Sequence, residues 1–374
     1  MKFATLVVVL ISTLPAQGDT LSYGEPSQVG VSADKLKEAA EIMAEAVRQD
    51  AVRGCVVLVA RRHKIIFHEA YGWRDLAKKI PMRRDTLFRM ASNSKAPTAL
   101  SILMLAEQGD LKLDDPVHEY FPSFDHGFAA QITIRQLLTH TGGMGRALFM
   151  KGMQPATTLK REVARFGIRG ITSDPGQAYS YSNEGYNTLA GLIEVVSKQG
   201  YKEFLKQRIY DPLKMADSCN HETDADHERM SMVFRRTDDG ALRAGWKPGD
   251  PPTVPIPRGS GGMISTAYDY AVFCQMYLNG GAYGGKRLLS ADGIAAAIRP
   301  QSSHIPAAKK YGFGWGTSAD TFSHTGSDGT ASYANYRHNL IVLVFTQTPS
   351  KKIPRAAFYK AVVAACGAPG ERSP

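Results

Sequence analysis

Strand-like segments stand at both ends of this chain, and that constrains its fold more than any other feature. The short, mostly apolar runs 54–61 and 64–72 near the amino end and the stretch from about 311 to 347 near the carboxyl end read as strands. Helical patterns lie outside them, at 32–48 and from about 355. A sheet drawing strands from both ends must be one discontinuous domain, with its terminal helices placed to flank it. The expected class is therefore α/β (α+β), an antiparallel sheet flanked by helices plus a mostly helical subdomain. The sheet domain is expected over 25–100 and 261–374, and the helical subdomain over 101–260, as a single catalytic unit.

Three short motifs follow one another in this frame: Ser92-Asn93-Ser94-Lys95, Tyr181-Ser182-Asn183, and His324-Thr325-Gly326 ahead of Ser327. They supply a hydroxyl, an amine, a phenol and backbone amides, the parts that covalent acyl transfer needs without metal or cofactor. Each motif alone is weak because each recurs. Ser32-Ala33-Asp34-Lys35 opens the amphipathic run to Arg48, so Ser32 reads as an N-cap. Tyr277-Leu278-Asn279 ends an apolar helical run, and Tyr333-Ala334-Asn335 lies in an alternating, strand-like stretch. His140-Thr141-Gly142 closes the apolar run Ile132 to Leu138, whereas the second His-Thr-Gly lies between strand-like segments and is placed to edge a sheet.

Context singles out Ser92. A helix-forming run from Ala99 to Gln108 ends at Gly109, which puts Ser92 at a helix N-terminus with Lys95 one turn on and facing the same way. Pro97 falls in the first two turns, where its missing N–H is tolerated. Tyr181 follows Pro175-Gly176 and precedes a helical pattern from about Tyr186 to Ser197, so it is expected in a loop with its hydroxyl free to enter a cleft.

With these motifs the chain resembles the serine β-lactamase and penicillin-binding-protein superfamily, in the branch of class C β-lactamases, DD-peptidases and family VIII carboxylesterases. The likeness extends through Gly109 to Val117, Ile132 to Gly143, Tyr179 to Gly191 and Gly259 to Leu289. It implies a serine β-lactamase/DD-peptidase-like fold with the site in the cleft between sheet and helical part. It implies Ser92 as the acylated nucleophile, Lys95 as its charge partner, Tyr181 as the facing base, and Asn183 as a hydrogen-bonding partner of substrate and Lys95. The oxyanion hole would be the backbone amides of Ser92 and Ser327, just past Gly326.

A tyrosine of ordinary pKa, about 10, must drop by roughly three units to act as a base near neutrality, worth about 4 kcal/mol. One ammonium at ~4 Å supplies that at an effective dielectric of ~20. The alternative makes a neutral Lys95 the base, and the expectation is a coupled pair. His324 departs from the lysine usual in class C β-lactamases. A largely neutral histidine weakens the grip on a carboxylate and favours neutral esters, while DD-peptidases with histidine there keep amide cleavage open.

Lys2 precedes an apolar stretch, Phe3 to Leu14, and small residues follow, so 1–18 reads as a cleaved signal peptide too short to span a bilayer. A periplasmic or secreted product without stable membrane insertion is expected. The net charge of +10 is scattered over short pairs such as Arg61-Arg62 and Lys351-Lys352, which argues against nucleic acid. Cys55, Cys219, Cys274 and Cys366 lack metal-ligand spacing. The family resemblance brings the elements carrying Cys55 and Cys366 together and makes them the one candidate disulfide. Gly280 to Lys286 has the outline of a phosphate loop, yet Arg287 stands where Ser or Thr is required. Cys219, His221, Asp224, Asp226 and His227 look like a charged surface loop and not a metal site.

The reading that follows is a secreted serine hydrolase that cleaves small carboxylic esters through a Ser92 acyl-enzyme, acting on a small ester or β-lactam-like molecule. The alternatives are a β-lactamase or DD-peptidase, and a penicillin-binding sensor domain that acylates without turnover.

Overall fold

The computed structural model describes residues 20–148, 153, 154, 156–171, 173–252, 254–305, 308–349 and 353–367. Residues 1–18, expected from sequence to be a signal peptide, lie outside them. The main sheet runs in the order Ser22–Tyr23, Lys64–Asp75, Gly54–Arg61, Leu340–Phe345, Thr330–Asn335, Thr321–Thr325 and Gly316–Thr317, with Ile80–Pro81 paired to Lys64–Asp75. Its pairings are antiparallel apart from Ser22–Tyr23, which lies parallel to Lys64–Asp75. Strands from the two chain ends meet at the centre, where Val57 pairs with Val344.

The period of two along these strands explains why they are buried on both faces. Val56, Leu58, Ala60, Ile341, Leu343 and Phe345 join the large core shared with the helical part. Cys55, Val57, Val59, Leu340, Val342 and Val344 face the other way, against the helices Ala33–Arg48 and Arg355–Ala365. Each fully buried Val, Leu or Ile there contributes about 1.5–3 kcal/mol by leaving water. The first terminal helix starts where its cap predicts, with Ser32 Oγ accepting from Lys35 N at 3.3 Å.

The middle of the chain holds the helices Ile134–Leu138, Leu159–Arg169, Asn183–Ser197 and Tyr201–Leu205. It also holds a hairpin, Val233–Arg236 with Leu242–Trp246, that a mostly helical reading does not anticipate. Asp239-Gly240 is the local signal for it, and Gly240 takes φ 82° in the turn. The strand expected from Tyr311 shrinks to Gly316–Thr317 with Tyr311 bridging back to Gly316. Gly314, at φ 82° and pressed against the Lys95 carbonyl, turns the chain there.

The cysteine expectation is corrected. Cys55 and Cys366 share the layer between sheet and terminal helices, but both are free thiols, as are Cys219 and Cys274. Burial pushes the Cys55 thiol up to about 12, so it behaves as an inert apolar side chain. The loop after Cys219 is also not simply surface: His221 and Glu222 are buried, and Glu222 supplies a carboxylate 3.6 Å from buried Arg89. Among the described residues no helix is long and apolar enough to cross a membrane.

Candidate active site

Ser92 lies in a 3-10 turn, Ala91–Ser94, that runs directly into the helix Lys95–Gln108. The α-helix proper therefore begins three residues later than the sequence suggests, and Pro97 is its third residue, where the backbone N–H has no intrahelical partner to lose. Ala91, just before the nucleophile, is held at φ 46°, a left-handed conformation that costs an alanine about 1–2 kcal/mol. The surroundings hold it in place. Asn93 Nδ2 donates to Thr330 Oγ1 at 2.9 Å, Ser332 Oγ donates to Asn93 Oδ1 at 2.7 Å, and Thr330 Oγ1 donates to the Met90 carbonyl at 3.0 Å. Ser94 Oγ donates to the Ala91 carbonyl at 2.6 Å and accepts from Met263 N at 2.9 Å. The two middle residues of Ser-x-x-Lys thus fasten the turn to the sheet.

Lys95 is fully buried. Its Nζ lies 3.3 Å from Ser92 Oγ, 3.0 Å from Asn183 Oδ1 and 2.8 Å from the Ser260 carbonyl. Burial first, and the charge of Arg258 second, hold its pKa well below the usual lysine value. A neutral amine fits these partners: its two hydrogens go to the two carbonyl oxygens, and its lone pair is left for the Ser92 hydroxyl. Tyr181 moves the opposite way. Burial raises its phenol, although a hydrogen bond with Ser92 lowers it in part. Both shifts favour the neutral amine and the neutral phenol, with the Arg258 cation acting on Lys95.

The loop carrying Tyr181 is fastened by a residue that the sequence reading set aside. His140, at φ 61°, accepts from Ser182 N through Nδ1 at 3.1 Å and from Ser180 N through its carbonyl at 2.8 Å. Its ring stands 4.4 Å from that of Tyr181 and 4.7 Å from that of Tyr311. The first His-Thr-Gly is therefore a support of the site. Ser182 caps the helix Asn183–Ser197 by accepting from Gly185 N at 2.8 Å, which sets Asn183 at the helix start. Asn183 Nδ2 donates to the Arg146 carbonyl at 2.7 Å while Oδ1 receives Lys95.

His324 sits on the strand Thr321–Thr325, paired opposite Ser332. Its Nδ1 donates to the Thr325 carbonyl at 3.1 Å, so Nε2 accepts from the Tyr311 hydroxyl at 3.1 Å. Burial lowers its pKa to about 3. It is a neutral ring with both nitrogens occupied and not a fixed cation. Gly326 follows where no side chain fits: a Cβ would lie 2.3 Å from Thr330 Oγ1 and 2.4 Å from the Met90 carbonyl. That close approach brings the strand end against the nucleophile turn. The Ser327 amide, next in line, donates to no described residue.

Ser92, Tyr181 and Ser327 line two adjoining cavities. One, of about 350 Å³, extends past Asn183, Ser260 and Gly261 to Arg89, Arg235, Arg258 and Asp328. The other, of about 580 Å³, extends past His324 and Gly326 to Lys309 and Arg355. Arg146 lies at both. The seven residues singled out from sequence are thus gathered at one place, while the arginines and Tyr311 have no signature in a short motif and His140 stands in a recurring one. His221 and His227 are spent on a threonine hydroxyl and a backbone carbonyl away from this site.

The Beta-lactamase family model matches residues 39–365. Protein flp of Staphylococcus aureus (strain MW2) is 30% identical over 198 residues, 51% of this chain and 39% of that protein, so the match spans well under half of that relative. Esterase EstB of Burkholderia gladioli is 30% identical over 273 residues, 68% of this chain and 67% of the esterase. The solved structure of EstCE1, a hydrolase with promiscuous acyltransferase activity, superposes with a TM-score of 0.77 at 22% identity, covering 88% of this chain and 98% of that one. At that identity it speaks for the fold.

Proposed function

The chain belongs to the Beta-lactamase family, and from that premise we propose that it is a serine hydrolase that cleaves small carboxylic esters through an acyl-enzyme on Ser92. The supporting observation is the buried Lys95 amine, whose two carbonyl partners leave its lone pair for Ser92.

In this mechanism the neutral amine takes the Ser92 proton as Oγ attacks the ester carbonyl. The negative charge that develops on the carbonyl oxygen meets the backbone amides of Ser92 and Ser327. Tyr181, a protonated phenol hydrogen-bonded to Ser92, gives its proton to the departing alkoxide and recovers one from Lys95. Water then attacks the acyl group with the same pair acting in reverse, which returns Ser92 and releases the acid. Asn183 orients Lys95 and faces the substrate. His324, neutral and tied to Tyr311, shapes the pocket without contributing charge. The likeness to Esterase EstB supports the ester side of this reading, and export rests on Lys2 and the apolar run to Leu14.

Amide cleavage is the second reading. Arg146, Lys309 and Arg355 line the cavity on the His324 side and offer positive charge to the carboxylate of a β-lactam or a peptide end. The test is hydrolysis of p-nitrophenyl butyrate and of a chromogenic cephalosporin by the protein and its Ser92→Ala variant. Ser92-dependent ester turnover with little cephalosporin cleavage supports the proposal, and the reverse establishes the second reading. A variant as active as its parent removes Ser92 from the mechanism.

A further inference from the structure

The cavity on the Asn183 side of Ser92 holds a charge that the proposed mechanism does not use. Arg89, Arg146, Arg235 and Arg258 line it against one lining carboxylate, Asp328. Asp328 is already shared, 3.1 Å from Arg89 and 3.0 Å from Arg235. Glu222, buried behind, is 3.6 Å from Arg89. Four guanidinium groups thus face two carboxylates, both engaged.

Arg258 is the outlier of the group. It is 7% exposed, yet among the described residues its guanidinium makes no hydrogen bond and no ion pair. Glu222 and Asp328 act on it only through their charge. A Cβ on Gly261 would come within 2.7 Å of Arg258 Nη1 and 3.6 Å of the Ala91 carbonyl carbon. The guanidinium therefore lies over a bare glycine, beside the turn that carries Ser92. The guanidinium opens on the cavity without a protein partner, and its planar fork of donors matches a carboxylate in two hydrogen bonds.

We propose that Arg258 receives a carboxylate carried by the substrate itself, a few atoms from the scissile carbonyl, so that the preferred esters are acidic ones. This rests on the ester-cleaving reading above and names its substrate class. The carboxylate belongs either to the acyl group, as in a monoester of a dicarboxylic acid, or to the leaving group. In both cases the charge enters the Asn183-side cavity, away from His324. The proposal turns the substrate expectation around, because a neutral His324 argues for neutral esters only if the grip on an anion must come from that strand.

The experiment compares kcat/KM within two pairs of substrates: p-nitrophenyl hemiglutarate against p-nitrophenyl butyrate, and 3-carboxyphenyl butyrate against phenyl butyrate. The first pair places the carboxylate on the acyl side and the second on the leaving group. A preference of roughly 10- to 100-fold for the acidic member of one pair is expected, the range for hydrogen bonds to a charged group. In Arg258→Met that ratio should fall toward unity. No preference in either pair, or a preference that survives Arg258→Met, overturns the proposal. A binding measurement guards against misfolding of that variant: monomethyl glutarate should raise the Tm of the Ser92→Ala protein while methyl butyrate does not. Equal Tm values with the two ligands also overturn it. Because that readout needs no turnover, it separates failure of the anion site from failure of the acyl-enzyme reading, which would show as residual hydrolysis by Ser92→Ala.

Discussion

Gly326→Ala tests how the sheet positions the oxyanion site. The added methyl would lie 2.3 Å from Thr330 Oγ1, 2.4 Å from the Met90 carbonyl oxygen and 3.1 Å from Ala91 Cβ. Carbon–oxygen contacts are ordinarily no closer than about 3.3 Å, so the strand end must retreat from the nucleophile turn by roughly 1 Å. Neither obstacle yields easily, since Thr330 Oγ1 is bonded to Met90 and Asn93 and the other is backbone. Overpacking of this kind costs about 1–3 kcal/mol of stability. The larger effect should be on rate, because the Ser327 amide moves with the strand. Misplacement by about 1 Å is worth about 100-fold, and complete loss of one oxyanion donor about 100- to 1000-fold in kcat. The assay is kcat and KM on p-nitrophenyl butyrate together with urea unfolding. Gly316→Ala serves as comparison, since its nearest obstacle is the Ser323 carbonyl at 3.3 Å and its cost should stay within about 0.5 kcal/mol. A folded Gly326→Ala protein that keeps its kcat within about threefold, far short of the cost of a lost oxyanion donor, would refute the reasoning.

Tyr181→Phe should lower kcat by about 100- to 10,000-fold, and adding Lys95→Ala should cost far less than the product of the single effects, because the two act as a unit; single-turnover kinetics on the three variants check this. Removing the cation in Arg258→Met favours the Lys95 ammonium, so the acid limb of kcat/KM for a neutral ester should move to higher pH; an unmoved limb contradicts the neutral-amine assignment. His324 has a folded pKa of about 3 against about 6.5 unfolded, so the stability it contributes is whole above about 6.5 and is lost as pH falls toward about 3. His324→Gln should accordingly lose about 2–3 kcal/mol less than its parent between pH 7 and pH 4.5, measured by urea unfolding at both.

Local chemistry was legible in the sequence and long-range proximity was not. Ser92 and Lys95 are linked by one helical turn, Ser182 announces its helix by its capping side chain, and the strands 54–61 and 340–345 announce themselves by unbroken apolar runs. Arg258 stands more than 150 residues from Ser92, and its role depends on Gly261 being bare and on Asp328 being taken. His140 was set aside because the same tripeptide recurs at His324, and only the fold shows that both histidines flank Tyr181. The directions in which Lys95 and Tyr181 shift are illegible in the sequence for a related reason. A motif names the groups, but desolvation and the nearest cation come from elsewhere in the chain. A mostly helical reading of the middle also passes over the hairpin at 233–246, whose turn signal is a single Asp-Gly.

The central claim is covalent, and the most direct measurement is rapid-quench peptide mass mapping of the protein during its first turnover of p-nitrophenyl butyrate. A burst of nitrophenol and a butyryl adduct on the peptide containing Ser92, absent from Ser92→Ala, are expected. An adduct on any other residue, or full turnover with no adduct and no burst under conditions where deacylation is slowed, would contradict it.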